Sequence, residues 1–421
     1  MLIENFITWF MGRKNAQYLR FQVDQDIDVP HNTRDKKYLL YIHIPFCRKL
    51  CPYCSFNRYT FEESLARSYF GALREELKMY YHKGYTFTGV YIGGGTPTIL
   101  MDELDRTLAL THQLFPVREV SVETNPDHVT GENLKALKGM KVNRLSVGVQ
   151  SFDDSILRSV DRYEKYGSGQ EIQERIRLAL GNFDTLNIDM IFNFPHQTIR
   201  MLEKDLDILL NLHVDQVTFY PLMVSTSTQK AISQQFGRVD YQQEKDFYFK
   251  ILERLSGQFS PATAWCFSKA GDMIDEYIIT YDEYAGVGSG AFGYLNGCIY
   301  ANTFSLGQYI KEIQQGRLPL MAQKIFSVKE QMRYDFLMKL FGGFLDLEEL
   351  KAKFQEDPYR YLWMEMLFFK LLHGIRTEAR SLHLTQKGQY YWVIMMREFF
   401  IGVNNFRDYC RSKITDHPPC N

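Results

Sequence analysis

Three thiols stand close together in a chain of 421 residues that has seven cysteines: Cys47, Cys51 and Cys54, in the run HIPFCRKLCPYC that begins at His43. Clustered thiolates are soft donors, and this spacing reads as a metal-ligand set, not as disulfide partners. An iron–sulfur cube wants such donors, and one short loop can wrap three of them around its corner. Three protein ligands leave one iron open, and an open coordination position is what lets a metal take a substrate. A zinc site completed by a distant His, or loop cysteines with no ligand, would also accommodate the three. The remaining cysteines, Cys266, Cys298, Cys410 and Cys420, and the nearby His417, have no recognised ligand spacing and read as structural.

A ligand loop needs a rigid frame, and the chain around it repeats a two-beat pattern from residue 38 onward. Short β-branched runs at 38–44, 88–94, 118–124, 143–149, 185–192 and 214–220 alternate with longer helical stretches. Most of these runs are continuously apolar, which suits strands covered on both faces. In the helix expected over 61–83, Leu65, Tyr69, Leu73, Leu77 and Tyr80 keep one face. Strands alternating with helices mean βαβ units and a parallel sheet. Six units make either an open doubly wound sheet or a partial barrel, and periodicity does not choose between them. The cysteine loop follows the first strand. Gly93-Gly94-Gly95 closes the second, where absent side chains let backbone approach a ligand at the end of a parallel sheet that binds ligands.

Outside this frame the pattern changes. Residues 1–37 read as a helical extension, with Leu2, Ile3, Phe6, Ile7 and Phe10 on one apolar face. The Gly-rich patch AGVGSGAFGYLNG (285–297) reads as a loop or tight turns. Beyond about 310 the chain reads as helices with a short strand near 380–385, so a division into 1–37, 38–300 and 301–421 is expected. In GQYYWVIMMREFFIGVNNFRDYCR (388–411), Tyr391, Met395 and Phe399 have helical spacing and read as core. Arg397 and Arg407 in the same segment could meet substrate carboxylates bidentately, or be surface charges. The tail TDHPPCN reads as frayed.

Hydrophobic residues at 45% and charged residues at 24% are ordinary for a globular protein. A formal net charge of −1 gives no electrostatic footprint for nucleic acid, so none is expected as a partner. No apolar run approaches the ~18 residues that span a bilayer. The apolar N-terminus carries Glu4 and lacks both a basic flank and an Ala-x-Ala site, so the expected compartment is the cytoplasm.

The ordered motifs YIHIPFC…CPYC, GGGTPT (93–98), ETNP (123–126), NRLSVGVQSFDDSILRSVDR (143–162) and IDMIFNFPHQT (188–198) resemble the radical S-adenosylmethionine (SAM) superfamily, and within it the oxygen-independent coproporphyrinogen III oxidase family. That family also includes haem chaperones and haem-degrading methylases. The resemblance covers roughly 38–300. It implies a partial (β/α)6 TIM-like barrel with a C-terminal, mainly helical, winged-helix-like domain, and a [4Fe–4S] cluster on Cys47, Cys51 and Cys54. It further implies that Tyr41, Tyr53, Gly94, Glu123 and Phe292 line the cluster-bound SAM, with Tyr53 packing on adenine. A second SAM in the same chain would take Gly95, Thr96, Gln150, Arg162 and Asp189, with a backbone contact near Pro221. Read as residues alone, Gln150 and Asp189 sit at strand ends facing one mouth or satisfy a loop, and Arg162 could be a surface charge.

The implied reaction is oxidative decarboxylation of coproporphyrinogen III to protoporphyrinogen IX, with a one-electron donor such as flavodoxin or ferredoxin. The alternatives are radical methyl transfer to a tetrapyrrole or other flat substrate, and a haem carrier. Two departures stand out. Phe56 occupies the place where the oxidases carry another Cys, and DMIDEYIITYDEY (272–284) lacks the His and Trp of the HNxxYW segment of the haem chaperones.

Overall fold

All six runs expected as strands form them: β1 Tyr38–Ile44, β2 Phe87–Gly94, β3 Glu119–Thr124, β4 Arg144–Gln150, β5 Thr185–Phe192 and β6 Gln216–Pro221. The computed structural model describes residues 2–18, 21, 28–32, 36–226, 229, 232–233, 237, 239–269 and 281–412. The strands lie side by side in chain order and every neighbouring pair is parallel. Their apolar continuity follows from burial on both faces; β1 has no exposed residue. Helices Glu63–His82, Met101–Leu114, Gly131–Gly139, Gly169–Ala179 and Ile199–Leu212 pack outside. Tyr69, Leu73, Leu77 and Tyr80 of the first are fully buried, as their spacing predicts, while Leu65 is half-buried. The side chain of Glu62 accepts from the Ser64 and Leu65 amides and so fixes where that helix starts after the cysteine loop.

The six strands are an open part of a barrel. Beyond β6 the order continues into Cys266–Ser268, antiparallel, and beyond β1 into Tyr284–Val287, parallel. The Gly-rich patch expected as a loop or tight turns is corrected in part: it has a tight turn, but two strands, Tyr284–Val287 and Phe292–Leu295, flank it. Its glycines serve both purposes. Gly288 and Gly290 take positive φ (103° and 76°) in the turn. Gly286 instead permits close strand approach, since a Cβ there would lie 1.9 Å from the Phe292 carbonyl oxygen. Strands Cys298–Asn302 and Leu320–Ile325 extend the same meander.

Three helices follow, Val328–Phe341, Leu347–Phe354 and Pro358–Leu371. The strand expected near 380–385 is Ser381–Leu384, and it pairs antiparallel with both Phe344–Asp346 and Ile375–Glu378. Helices with a small antiparallel sheet give the winged-helix-like layout. The helix Gln386–Ser412 then runs back across the molecule and packs on the N-terminal helix Leu2–Tyr18. Tyr391 and Met395 are buried in its core face and Phe399 is half-buried. Of the apolar face expected on the N-terminal helix, Ile7 is buried, whereas Leu2, Phe6 and Phe10 remain exposed.

Arg397 is a second correction. It is buried against Glu244, which has no exposed side-chain surface, and it reaches Glu398 at 2.8 Å and the Thr8 hydroxyl at 3.1 Å. This ion pair joins the C-terminal helix to Tyr241–Leu255 and to the N-terminal helix, so Arg397 is not offered to a substrate. Cys266 and Cys410 are buried and Cys298 half-buried, while Cys420, His417 and the rest of the expected frayed tail lie outside the described residues. Most of the 272–284 stretch also lies outside them. Among the described residues no helix is long and apolar enough to cross a membrane.

Candidate functional site

The loop after β1 is pinned at both ends. Phe46–Cys47 pairs with Tyr59–Thr60, the Tyr59 amide donates to the Pro45 carbonyl at 2.6 Å, and the Phe61 amide to the Cys47 carbonyl at 2.8 Å. Inside the loop the Cys54 amide donates to the Cys51 carbonyl at 3.2 Å, which closes a turn between the second and third cysteines. Arg58 Nε donates to the Cys54 carbonyl at 2.9 Å.

Beneath the loop lies buried His43. Its Nε2 stands 2.8 Å from the Asn57 carbonyl, which can only accept, so Nε2 carries the proton and Nδ1 accepts from the Tyr41 hydroxyl at 2.9 Å. Burial drives the His43 pKa down to about 4, which keeps the ring neutral in this role. Tyr41, His43 and Asn57 therefore form one relay from β1 to the loop, and Asn57 continues it to the Ser289 hydroxyl at 3.1 Å.

The glycine run brings β2 against this loop. Gly94 has φ 117°, and a Cβ there would lie 2.7 Å from the His43 ring; one on Gly95 would lie 2.6 Å from the Phe46 carbonyl oxygen and 3.0 Å from Cys47 Sγ. The Gly94 amide donates to Glu123 Oε2 at 3.1 Å, and the Tyr91 hydroxyl donates to Oε1 at 2.8 Å. Burial raises the Glu123 pKa to about 7, and the negative charge of Asp189 pushes the same way. Asp189 is itself raised by burial, and it accepts from the Ser146 hydroxyl at 2.6 Å and from Asn187 Nδ2 at 2.8 Å.

These groups ring a cavity of about 270 Å³ at the strand ends. Its wall contains Cys47, Cys51, Cys54, Tyr41, Tyr53, Gly94, Gly95, Glu123, Gln150, Arg162, Asp189, Pro221 and Phe292. Of the expected site residues only Thr96 is absent from that wall. It stands behind it, with its hydroxyl 3.7 Å from Cys47 Sγ and accepting from Asn125 Nδ2 at 2.9 Å. Gln150 owes its position to a positive φ of 76° beside a register shift in β4.

Arg162 is buried, not a surface charge. Its guanidinium donates to the Gly148 carbonyl and to Asn125 Oδ1, and Nη1 lies 3.3 Å from the Tyr53 hydroxyl. Its Nε is buried without a hydrogen-bond partner. Asn404, Phe400 and Arg407 close the cavity from the C-terminal helix, with Arg407 donating to Asn404 Oδ1 at 2.9 Å. Sequence reasoning missed Asn404, Phe400, Asn125 and Lys165. Asn125 sits inside the ETNP motif, whereas the others carry no spacing signal.

The thiols differ in environment. Burial pushes Cys47 up to about 12. Burial also works against ionising Cys51, but Arg162 and Lys165 outweigh it and hold its pKa below the ordinary value. Among the described residues no three His, Cys, Asp or Glu side chains close on a single ion. The donor set fits a cube: three soft sulfurs from one loop, with a cavity in front of them for the ligand of an open iron.

A six-stranded parallel partial barrel with this loop at its mouth defines a radical SAM enzyme, and the model of the radical SAM superfamily matches residues 41–209. The chain belongs to the HemN/HemW-like family within it. It is 32% identical over 324 residues to the heme chaperone HemW of Bacillus subtilis, covering 71% of this chain and 82% of the relative. It is 27% identical over 356 residues to coproporphyrinogen III oxidase, anaerobic 1, of Cereibacter sphaeroides, covering 75% of each. The fold matches coproporphyrinogen III oxidase (HemN) from Escherichia coli with a TM-score of 0.75 at 21% identity, over 90% of this chain and 95% of that one. Membership implies a [4Fe–4S] cluster and SAM.

Proposed function

We propose that this enzyme takes a hydrogen atom from a carboxylate-bearing, tetrapyrrole-type substrate, and that oxidative decarboxylation of coproporphyrinogen III is its reaction. The observation that carries this reading is one cavity wall holding the three cysteines, the SAM-lining set and, across from them, Arg407 with Asn404. When bound, the cluster supplies the electron that splits SAM into methionine and a 5′-deoxyadenosyl radical. The chain's own residues orient and enclose. Tyr41, Tyr53, Gly94, Glu123 and Phe292 hold the first SAM, and the missing side chain of Gly94 lets β2 close on the His43 ring behind them. Arg407 takes a propionate carboxylate by charge-assisted hydrogen bonds. The propionate β-hydrogen ends on 5′-deoxyadenosine, and the substrate radical loses its carboxylate as CO2 and passes one electron to a one-electron acceptor, which leaves a vinyl group.

A second SAM takes Gln150, Arg162 and Asp189, with Gly95 and the Pro221 backbone alongside. Support for it is the buried, unpartnered Nε of Arg162. Thr96 contributes through Cys47 and Asn125. The division into 1–37, 38–300 and 301–421 is kept with one change at its second boundary: the sheet of the core runs on past 300 through Leu320–Ile325, which pairs with Cys298–Asn302, and the helical domain follows it. The electron donor is a flavodoxin- or ferredoxin-type protein.

A second reading, a haem carrier, is favoured by the similarity to a protein named heme chaperone. One experiment separates them. Anaerobically reconstituted enzyme with SAM, a low-potential reductant and coproporphyrinogen III should release CO2, 5′-deoxyadenosine and a vinyl-bearing product. S-adenosylhomocysteine in its place would mean methyl transfer. No product, with a stoichiometric Soret band on haem addition, would establish the carrier.

A further inference from the structure

The three thiols are not equivalent, because cations converge on one of them. Lys165, in the short helix Tyr163–Tyr166, brings Nζ to 3.3 Å from Cys51 Sγ and 2.9 Å from the Leu50 carbonyl oxygen. Arg162, at the start of that helix, brings Nη1 to 3.8 Å from the same sulfur. The polar neighbour of Cys47 Sγ is a neutral hydroxyl, that of Thr96 at 3.7 Å, and Arg58 donates to the backbone carbonyl of Cys54. Glu164, the carboxylate next to Lys165 in sequence, pairs instead with Arg158 at 3.6 Å, so it does not neutralise the ammonium.

We propose that Lys165 is a positioning residue for the cluster, tying the cysteine loop to the helix after β4 and favouring one-electron reduction through Cys51. The physical reason is that hydrogen bonds to ligand sulfurs and net charge set the reduction potential of an iron–sulfur cluster. A reduced cluster carries one more negative charge, and an ammonium against a ligand sulfur stabilises that charge more than the oxidised form. The cavity wall around Cys51 keeps the local dielectric low, which strengthens the effect. Two anchors, one on the Leu50 carbonyl and one on the sulfur, hold the ammonium in place, so it cannot drift to solvent without breaking both. The electron comes from a low-potential one-electron donor, and Lys165 itself neither gives nor takes a proton in the step. Arg162 adds charge to the same sulfur, but it is shared with Tyr53, Asn125 and Gly148, which makes Lys165 the cleaner probe.

The inference rests on the assignment of the cluster to the three cysteines. Its test is an anaerobic redox titration of the reconstituted full-length protein, followed by electron paramagnetic resonance of the reduced cluster. Lys165→Met should keep wild-type iron content while its equilibrium constant for reduction falls about tenfold, a midpoint about 59 mV lower. Lys165→Arg should restore most of the difference. An unchanged midpoint in the Met variant would overturn the proposal. Should that variant fail to hold iron, Lys165→Gln keeps a donor without the charge; it should show the same fall, and a wild-type midpoint there would equally overturn it. Iron retained after Cys47, Cys51 and Cys54 are all changed to Ala would sink the cluster assignment, a separate failure.

Discussion

Asp189 tests how the mouth of the barrel divides its labour. It accepts from Ser146 and Asn187 and lines the same cavity as the cysteine loop, and the proposed second SAM would place its ammonium on this carboxylate. Asp189→Asn should leave reductant-driven 5′-deoxyadenosine formation largely intact. Substrate conversion should fall about tenfold or more, since a charge-assisted contact is worth ~1.5–3 kcal/mol. Quantifying 5′-deoxyadenosine and product in the same reaction checks it, and equal loss of both would place Asp189 at the first SAM. The cysteines and the glycine run were legible from type and spacing, whereas Glu123 and Asp189 came only with the resemblance, since a strand-end acid read alone is equally a loop carboxylate. Lys165 and Asn404 were not: Lys165 lies 114 positions from Cys51 and reaches it only through the fold. A charge in SVDRYEKYGS looks like any solvated helix charge until the loop is laid against it.

Among the elements, the C-terminal helix is tied to the rest of the chain by a buried ion pair. Arg397 on that helix is buried with Glu244, and truncating one partner leaves the other charge in a low-dielectric interior. Arg397→Met should therefore destabilise the protein by about 3–5 kcal/mol. Adding Glu244→Gln should recover much of it, since the uncompensated charge goes too. Denaturant midpoints of the two variants measure this; equal stability of Arg397→Met and wild type would contradict the structure. The six barrel strands were plain in sequence, because two-sided burial writes itself as an unbroken apolar run. The strands at 284–295 were hidden by glycines that serve close packing, and glycine for packing cannot be told from glycine for turning without knowing what lies opposite. The ion pair was equally hidden, since Arg397 next to Glu398 reads as a surface pair until Glu244 is seen beneath it.

At the scale of the whole molecule, two buried carboxyls each contribute a pH dependence of known sign. Burial raises Glu76 and Asp205 to about 7 each, well above their ordinary values. The folded chain thus holds these protons more tightly than the unfolded chain does. Their contribution to stability is fully present below about pH 4 and is lost as pH rises through about 7. Between about pH 5 and about pH 8 the wild-type denaturant midpoint should fall relative to that of Asp205→Asn, while the buried neutral His43 acts the other way equally in both proteins. A wild-type midpoint that rises relative to the variant over the interval would reverse the assignment. The winged-helix-like region and the last helix were visible as helical text, but not where they would dock. That docking has a consequence in time. Arg411 donates to the Ser55 carbonyl at 3.1 Å and to that of Phe56, so the end of the cysteine loop is held by a residue 355 positions beyond Phe56. At ~5–20 residues per second a ribosome needs roughly 20–70 seconds to make that stretch. For that interval the nascent cysteine loop lacks the two carbonyl contacts that Arg411 supplies in the finished chain.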